Sequence, residues 1–207
     1  MSEWIETTLG EVLDEVDVRN SDGAIDLVLS VTEGRGIVPQ AEVFKKRIAT
    51  EDVTNYKVLE PGDIAWNPYL LWKGAIGQWL GGCLGVTSPI YPVFRAKPGQ
   101  DGRFWGLVLT SGLLTPYFDS TAVGSIERRR RTTLPVFRAA PVLAPPLAEQ
   151  RRIVDVMSAV DAQIEALEAE AERGHGLLPA LVQSLAGSDD AWPRKRLGEV
   201  GEFIRGK

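Results

Sequence analysis

Between Pro145 and Leu185 the chain begins PPLAEQRRIVDVMSAVDAQIEALEAEAER, and no other stretch restricts the fold as much. Pro145 and Pro146 close what precedes them, since proline fixes φ and offers no backbone donor. Beyond them Ile153, Met157, Val160, Ile164, Leu167 and Ala171 alternate steps of four and three. That is the spacing of a helix burying a narrow seam against another helix. The count continues through Gly174, Leu178, Leu181 and Leu185, so the register outlasts Gly174-His175-Gly176 and Pro179, where the helix is expected to be interrupted. Asp155, Asp161, Glu165, Glu168, Glu170 and Glu172 lie between the seam positions, facing water or a partner's edges. The alternative is an amphipathic helix lying on its own domain. The narrow seam, its length and the proline boundary favour a helix that leaves its domain to pair. Its pairing residues are Ile153, Met157, Val160, Ile164, Leu167, Leu178, Leu181 and Leu185. From Ile153 to Leu185 such a seam spans roughly 50 Å.

The 207 residues suit one domain of ordinary size plus an extension. No apolar run is long enough to span a membrane, and the opening MSEWIETTLGEV is acidic where a secretory signal is basic, so a cytoplasmic location is expected. Cys83 and His175 are the only residues of their types. They exclude a disulfide framework and leave no zinc ligand set, and no metal or cofactor is expected. The net charge of −5 is unevenly spread. Residues 1–33 hold nine acids against Arg19 alone, a net of −8. Residues 34–138 hold fourteen bases against eight acids, a net of +6. Residues 146–187 are at −4, with three bases against seven acids. Such asymmetry points to a charged partner, with a solvated mixed surface as the alternative.

Along the chain, Thr8 and Glu11 have the spacing of a capping box for a two-turn helix burying Val12, Leu13 and Val16. Ile25–Val31 is a strand by composition, bounded by Asp22-Gly23 and Gly34. Tyr56–Leu59 and Ile64–Trp66 read as two strands joined by the turn Pro61-Gly62-Asp63. The glycine- and tryptophan-rich stretch from Asn67 to Phe94 is expected to be compact β structure, with Trp66, Trp72 and Trp79 as core or platform residues. Tyr91–Arg95 is a further strand. Phe104–Thr110, leading toward Tyr117, is expected to be helical, burying Leu107, Leu113 and Leu114. AVGSIERRRRTTLPVFRAAPVLAPP then forms a basic loop and an extended exit.

An internal repeat adds to this. Trp4-Ile-Glu-Thr-Thr-Leu9-Gly10-Glu11-Val12 recurs as Trp192-Pro-Arg-Lys-Arg-Leu197-Gly198-Glu199-Val200, both W-x4-LGEV. The chain therefore reads as one complete unit and the opening of a second.

The parts in this order resemble a specificity subunit of a type I restriction–modification system. The resemblance is carried by W-x4-LGEV, the PGDI turn at 61–64, KGAIG…GVTSPIYPVF at 73–94, GSIERRRR, and PPLAEQRRIV entering a long helix. It implies an α/β (α+β) target-recognition domain over 1–144, a long coiled-coil-forming helix over 145–187 and the truncated start of a second recognition domain over 188–207. It further implies a non-catalytic subunit that reads one half of a split site in double-stranded DNA. Its helix would act as ruler and as dock for methyltransferase subunits, with a restriction subunit in the complex. Paired long helices would let a single-domain chain associate with a second copy as a homodimer. The DNA-contacting candidates are Arg128, Arg129, Arg130 and Arg131 with Ser125 and Thr132, then Arg35, Lys45, Lys46 and Arg47, and finally Lys73 and Gln78 beside exposed turns.

Two other readings stay open. Asn67-Pro68-Tyr69 partly matches the Asn-Pro-Pro-Tyr signature of adenine-N6 DNA methyltransferases, but it lacks the second proline and a glycine-rich cofactor loop, so a strand-ending turn is preferred. A coiled-coil assembly adaptor without DNA contact is the second. Gly201-x4-Gly206-Lys207 starts like a phosphate-binding loop, but has no βαβ context, and His175 has no nucleophile in a recognisable arrangement.

Overall fold

The structure is a computed structural model describing residues 3–44, 49–186 and 199. The chain divides into two compact units, Met1–Val156 and Met157–Lys207. The first is a mixed α/β domain. Its strands are β1 (Ile5–Thr8), β2 (Leu13–Val16), β3 (Leu29–Thr32), β4 (Gly36–Pro39), β5 (Lys57–Leu59), β6 (Ile64–Trp66), β7 (Ile76–Gln78), β8 (Gly85–Thr87), β9 (Val93–Ala96) and β10 (Pro141–Ala144). Its helices are α1 (Leu9–Val12), α2 (Gln40–Val43), α3 (Gly102–Thr110), α4 (Thr115–Thr121) and α5 (Leu134–Arg138), followed by α6 (Leu147–Ala186), whose first turns belong to this unit.

The central sheet is antiparallel in the order β2-β9-β6-β7, and three two-stranded ladders (β1-β10, β3-β4, β5-β8) surround it. Every residue of β6 is buried, which suits a strand covered on both faces. Phe137 of α5 lies in the main core, its ring 4.9 Å from Trp66, 4.7 Å from Phe94 and 5.8 Å from Phe118. The strand β7 crosses the β3-β4 ladder so closely that a Cβ at Gly77 would stand 2.6 Å from the backbone nitrogen of Ile37, and only glycine fits.

Two turns are pinned by buried polar groups. Asp63 in the PGDI turn is 1% exposed; it accepts from the Glu60 amide at 2.8 Å and takes a two-point contact from Arg95 at 2.7 and 2.9 Å. The entrance to α6 is fixed by Gln150. Its amide nitrogen donates to the Pro145 carbonyl at 2.8 Å and to Gln100 Oε1 at 2.9 Å, while its oxygen accepts from the Asp101 amide at 2.8 Å. Asp101 is itself the N-cap of α3, accepting from the amides of Arg103 and Phe104. Val154, one turn on, is buried, and Ile153 packs against the same core. The first of the expected pairing residues is thus engaged by its own domain.

Several local expectations are corrected. Thr8 makes no side-chain cap; the LGEV segment is one helical turn between β1 and β2, because both flanks pair with strands distant in sequence, β10 and β9. The strand expected at 25–31 begins at Leu29. β5 and β6 do not form a hairpin: β5 pairs with β8, and β6 with β7 and β9. In α3 the buried residues are Phe104, Trp105, Gly106 and Leu109, while Leu113 lies beyond the helix and is 74% exposed. The helix α6 runs through Gly174, Gly176 and Pro179 without a break, although a proline inside a helix gives up one hydrogen bond and crowds the carbonyl four residues back.

Replacing Gln150 with leucine keeps the volume and strands its partners. The expected cost is about 3 kcal/mol, from buried groups left without hydrogen bonds. Equilibrium urea unfolding measures it, and a midpoint unchanged from wild type would show that the amide is not what fixes the helix entrance.

Candidate functional site

The arginine run lies in a closed loop. Val123 and Arg131 form an antiparallel bridge, exchanging backbone hydrogen bonds of 2.9 Å in both directions. Within it Glu127–Arg129 form a 3-10 turn, and Gly124 has a φ of +117°. A Cβ at Gly124 would lie 2.7 Å from the Arg129 carbonyl oxygen, so the loop can close this tightly only over glycine. The exit is tied down as well: the Thr132 amide donates to the Pro68 carbonyl at 2.9 Å.

Two ion pairs hold the loop from outside. Lys73 pairs with Glu127, and Arg130 pairs with the Asp119 carboxylate at 2.7 Å while also donating to the Asp119 carbonyl. Both cations lie over the ring of Trp72, the Arg130 guanidinium carbon 4.4 Å and Lys73 Nζ 4.9 Å from its centroid. Trp72 is itself oriented by its indole N–H, which donates to the Tyr69 carbonyl at 2.9 Å. Hydrogen bonding to Lys73 holds the Glu127 carboxyl below the usual glutamate range, and the same contact lifts Lys73 above the usual lysine value.

The four arginines are therefore not equivalent. Arg129 and Arg131 are exposed, and among the described residues neither guanidinium has an ion-pair partner. Arg130 is committed to Asp119 and Trp72. For Arg128 the structure describes the backbone alone. Ser125 is exposed beside the turn, whereas Thr132 is 2% exposed with its hydroxyl unbonded inside the domain, facing no solvent. Gln78 also faces inward: its amide nitrogen donates to the Gly62 and Gly102 carbonyls at 2.9 and 2.8 Å. Arg35 makes a surface pair with Glu42 at 3.4 Å. Lys45, Lys46 and Arg47 lie outside the described residues.

Beside the loop lies a groove of about 650 Å³ whose lining includes Asn67, Tyr69, Trp72, Tyr91, Ile126 and Glu127. Asn67 is spent on the chain itself: its oxygen accepts from the Tyr69 amide at 3.0 Å and its nitrogen donates to the Tyr91 hydroxyl at 3.1 Å. The Asn-Pro-Tyr segment is thus a strand-ending turn.

The charge asymmetry read from the sequence is settled in part within the domain. Lys57 reaches Asp17, Arg138 reaches Glu15 and Lys97 reaches Asp14, so N-terminal acids neutralise cations of the basic segment. Among the described cations outside those pairs, Arg129 and Arg131 are the exposed ones concentrated on one loop. The sequence signal that marked the loop was the run of four; Asp119 and Trp72, which decide its geometry, were not singled out as partners.

In the second unit α6 presents an apolar row. Met157, Val160, Ile164, Leu167 and Leu181 are 40% to 61% exposed, and Val156, at the end of the first unit, Leu177 and Val182 are exposed beside them. The side chains of Leu178 and Leu185 and the second W-x4-LGEV copy, Glu199 apart, lie outside the described residues.

No protein-family model and no curated protein matches the chain. Its fold does match solved structures. The S subunit of a type I restriction–modification system from M. genitalium aligns over 92% of this chain and 47% of that one, with 13% identity and a TM-score of 0.53. A chain from a structural study of complex assembly and conformational transition of the type I R-M system aligns over 87% and 44%, with 18% identity and a TM-score of 0.53. The HsdS subunit from Thermoanaerobacter tengcongensis aligns over 79% and 39%, with 19% identity and a TM-score of 0.47. The chain thus shares its fold with part of these S subunit structures, and it spans less than half the length of the chains it matches.

The Lys73–Glu127 pair gives a pH window. Glu127, depressed, contributes above the ordinary glutamate range and loses its contribution as pH falls through its lowered value. Lys73, raised, contributes below the ordinary lysine value and loses its contribution as pH rises through its own. The side-chain carboxyl carbon of Glu127, followed by NMR, should titrate below the ordinary range and return to it in Lys73→Met. A midpoint that does not move in that variant rules the pair out.

Proposed function

We propose that this chain is a sequence-reading subunit of a type I restriction–modification assembly, directing methyltransferase and restriction subunits to a bipartite DNA site. The reading rests above all on the fold shared with S subunits over most of the chain. It is supported by the exposed, unpaired Arg129 and Arg131 on a closed loop, suited to phosphate oxygens or to guanine edges in a groove. In this reading the subunit leaves the chemistry to its methyltransferase and restriction partners. No described helix is long and apolar enough to cross a membrane. The test is methylation mapping: DNA exposed to the chain with its methyltransferase subunits should carry methylated adenines at one recurrent split motif. Methylation spread without a motif, or the same motif when the chain is omitted, would sink the reading.

Two copies of such a domain would supply the two half-site readers of a split site. The exposed row from Met157 to Leu181 is the seam we propose for that pairing. A two-fold dimer makes the two contacts equivalent and calls for inverted half-sites around a fixed spacer. Ile164→Asp puts a charge in mid-seam, at a cost of about 3 kcal/mol or more to any helix pair that buries it. Light scattering should show a dimer for the wild type and a folded monomer for the variant. A variant that remains dimeric places the contact elsewhere.

A further inference from the structure

Four consecutive arginines invite the assumption of four equal contacts, and the loop does not support it. Arg130 has extended backbone (φ −69°, ψ 133°). Arg131, next along the chain, is bridged to Val123 through its backbone and exposes its side chain. Arg130 turns toward the domain, where the Asp119 carboxylate, the Asp119 carbonyl and the Trp72 ring receive it, and its side chain is 27% exposed. At the other end of the turn Glu127 would repel a phosphate beside Arg129, and the Lys73 ammonium neutralises it.

Resting on the proposal that this domain binds DNA, we infer that Trp72, Asp119 and Lys73 form a clamp using Arg130 as a strut, and that it fixes the loop backbone from which Arg129 and Arg131 reach the nucleic acid. Arg130 is then a positioning residue, and Arg129 and Arg131 are contacts. A clamp acts before binding: it holds the loop backbone that carries the two arginines, so the loop itself need not be ordered at the moment of contact. A contact acts through counterion release, each phosphate neutralised steepening the dependence of log K on log salt by about 0.9. The two roles therefore leave different signatures in one experiment.

The experiment is fluorescence anisotropy of the purified full chain on a fluorescein-labelled DNA duplex of arbitrary sequence, over a series of potassium chloride concentrations. Arg129→Ala and Arg131→Ala should each lower the salt slope by about 0.9. Trp72→Leu should bind about tenfold more weakly at every salt concentration with the slope unchanged, and Trp72→Phe, which restores an aromatic face, should recover most of the loss. Asp119→Asn is the sharper test, since this side chain is half exposed and its loss disturbs no core. Removing an acid next to bound DNA should on charge alone tighten binding; the clamp requires that it loosen. Tighter binding with a steeper slope in Asp119→Asn would show that Arg130 had only been withheld from phosphate, and would overturn the inference. So would a Trp72→Leu variant with wild-type affinity, or one whose slope falls as Arg129→Ala does. A wild-type chain without salt-dependent binding would instead overturn the DNA reading itself, and the clamp's role with it.

Discussion

The buried amide of Gln150 joins what lies on either side of the proline boundary. A side-chain amide out of water is tolerated only if its hydrogen-bonding groups are met, and here the partners are the Pro145 carbonyl, Gln100 and the Asp101 amide. Each partner lies at a junction: Pro145 ends the strand β10 segment, Gln100 also receives the Trp105 indole, and Asp101 caps α3. One side chain thereby fixes the start of α6 and the start of α3 together. An apolar residue could fill the space but could not specify the angle. The PPLAEQRRIV segment has a physical reason to look as it does: prolines to stop the strand, glutamine to lock the entry, Ile153 and Val154 to bury the first turn.

What could be read in the sequence follows the range of the interactions. α6 was legible because helical periodicity is local, and its continuity through Gly174, Gly176 and Pro179 shows that three weak residues do not cancel a forty-residue helix. The LGEV segment was misread because its flanks are held by β9 and β10, some eighty and one hundred and thirty residues on. The supposed hairpin failed for the same reason, since nothing in Tyr56–Trp66 says that β5 belongs to β8. At the candidate site the run of arginines was plain to see. That Arg130 turns inward was not, because Asp119 lies eleven residues before it and Trp72 fifty-eight.

Charge tells a similar story. A segment at +6 following one at −8 looks like a surface made for a polyanion, yet folding brings Asp14, Glu15 and Asp17 onto Lys97, Arg138 and Lys57. Three of the nine N-terminal acids are thereby spent on cations of the basic segment. Arg129 and Arg131 lie outside those pairs, exposed on one loop. Many diffuse cations would attract a phosphate backbone without fixing direction, whereas two arginines on a closed loop would, under the proposed function, carry direction as well.

The helix beyond Val156 poses the opposite problem, of too few contacts rather than too many. Its apolar row is uncovered in the single chain, and an isolated helix in water draws on little beyond its own hydrogen bonds. Two glycines and a proline in the later turns weaken it further, through backbone freedom and a missing donor. The flanking acids, seven against three bases between 146 and 187, keep such a helix from burying indiscriminately and repel a membrane surface of like charge. Regular apolar spacing, marginal intrinsic stability and a charged flank are what the proposed pairing with a second helix would draw on. The first unit draws its stability from its own core, and none of the buried core residues lies beyond Val156 among the described residues. Under the proposed pairing, substitutions on the loops of the first unit would leave the seam on the helix untouched.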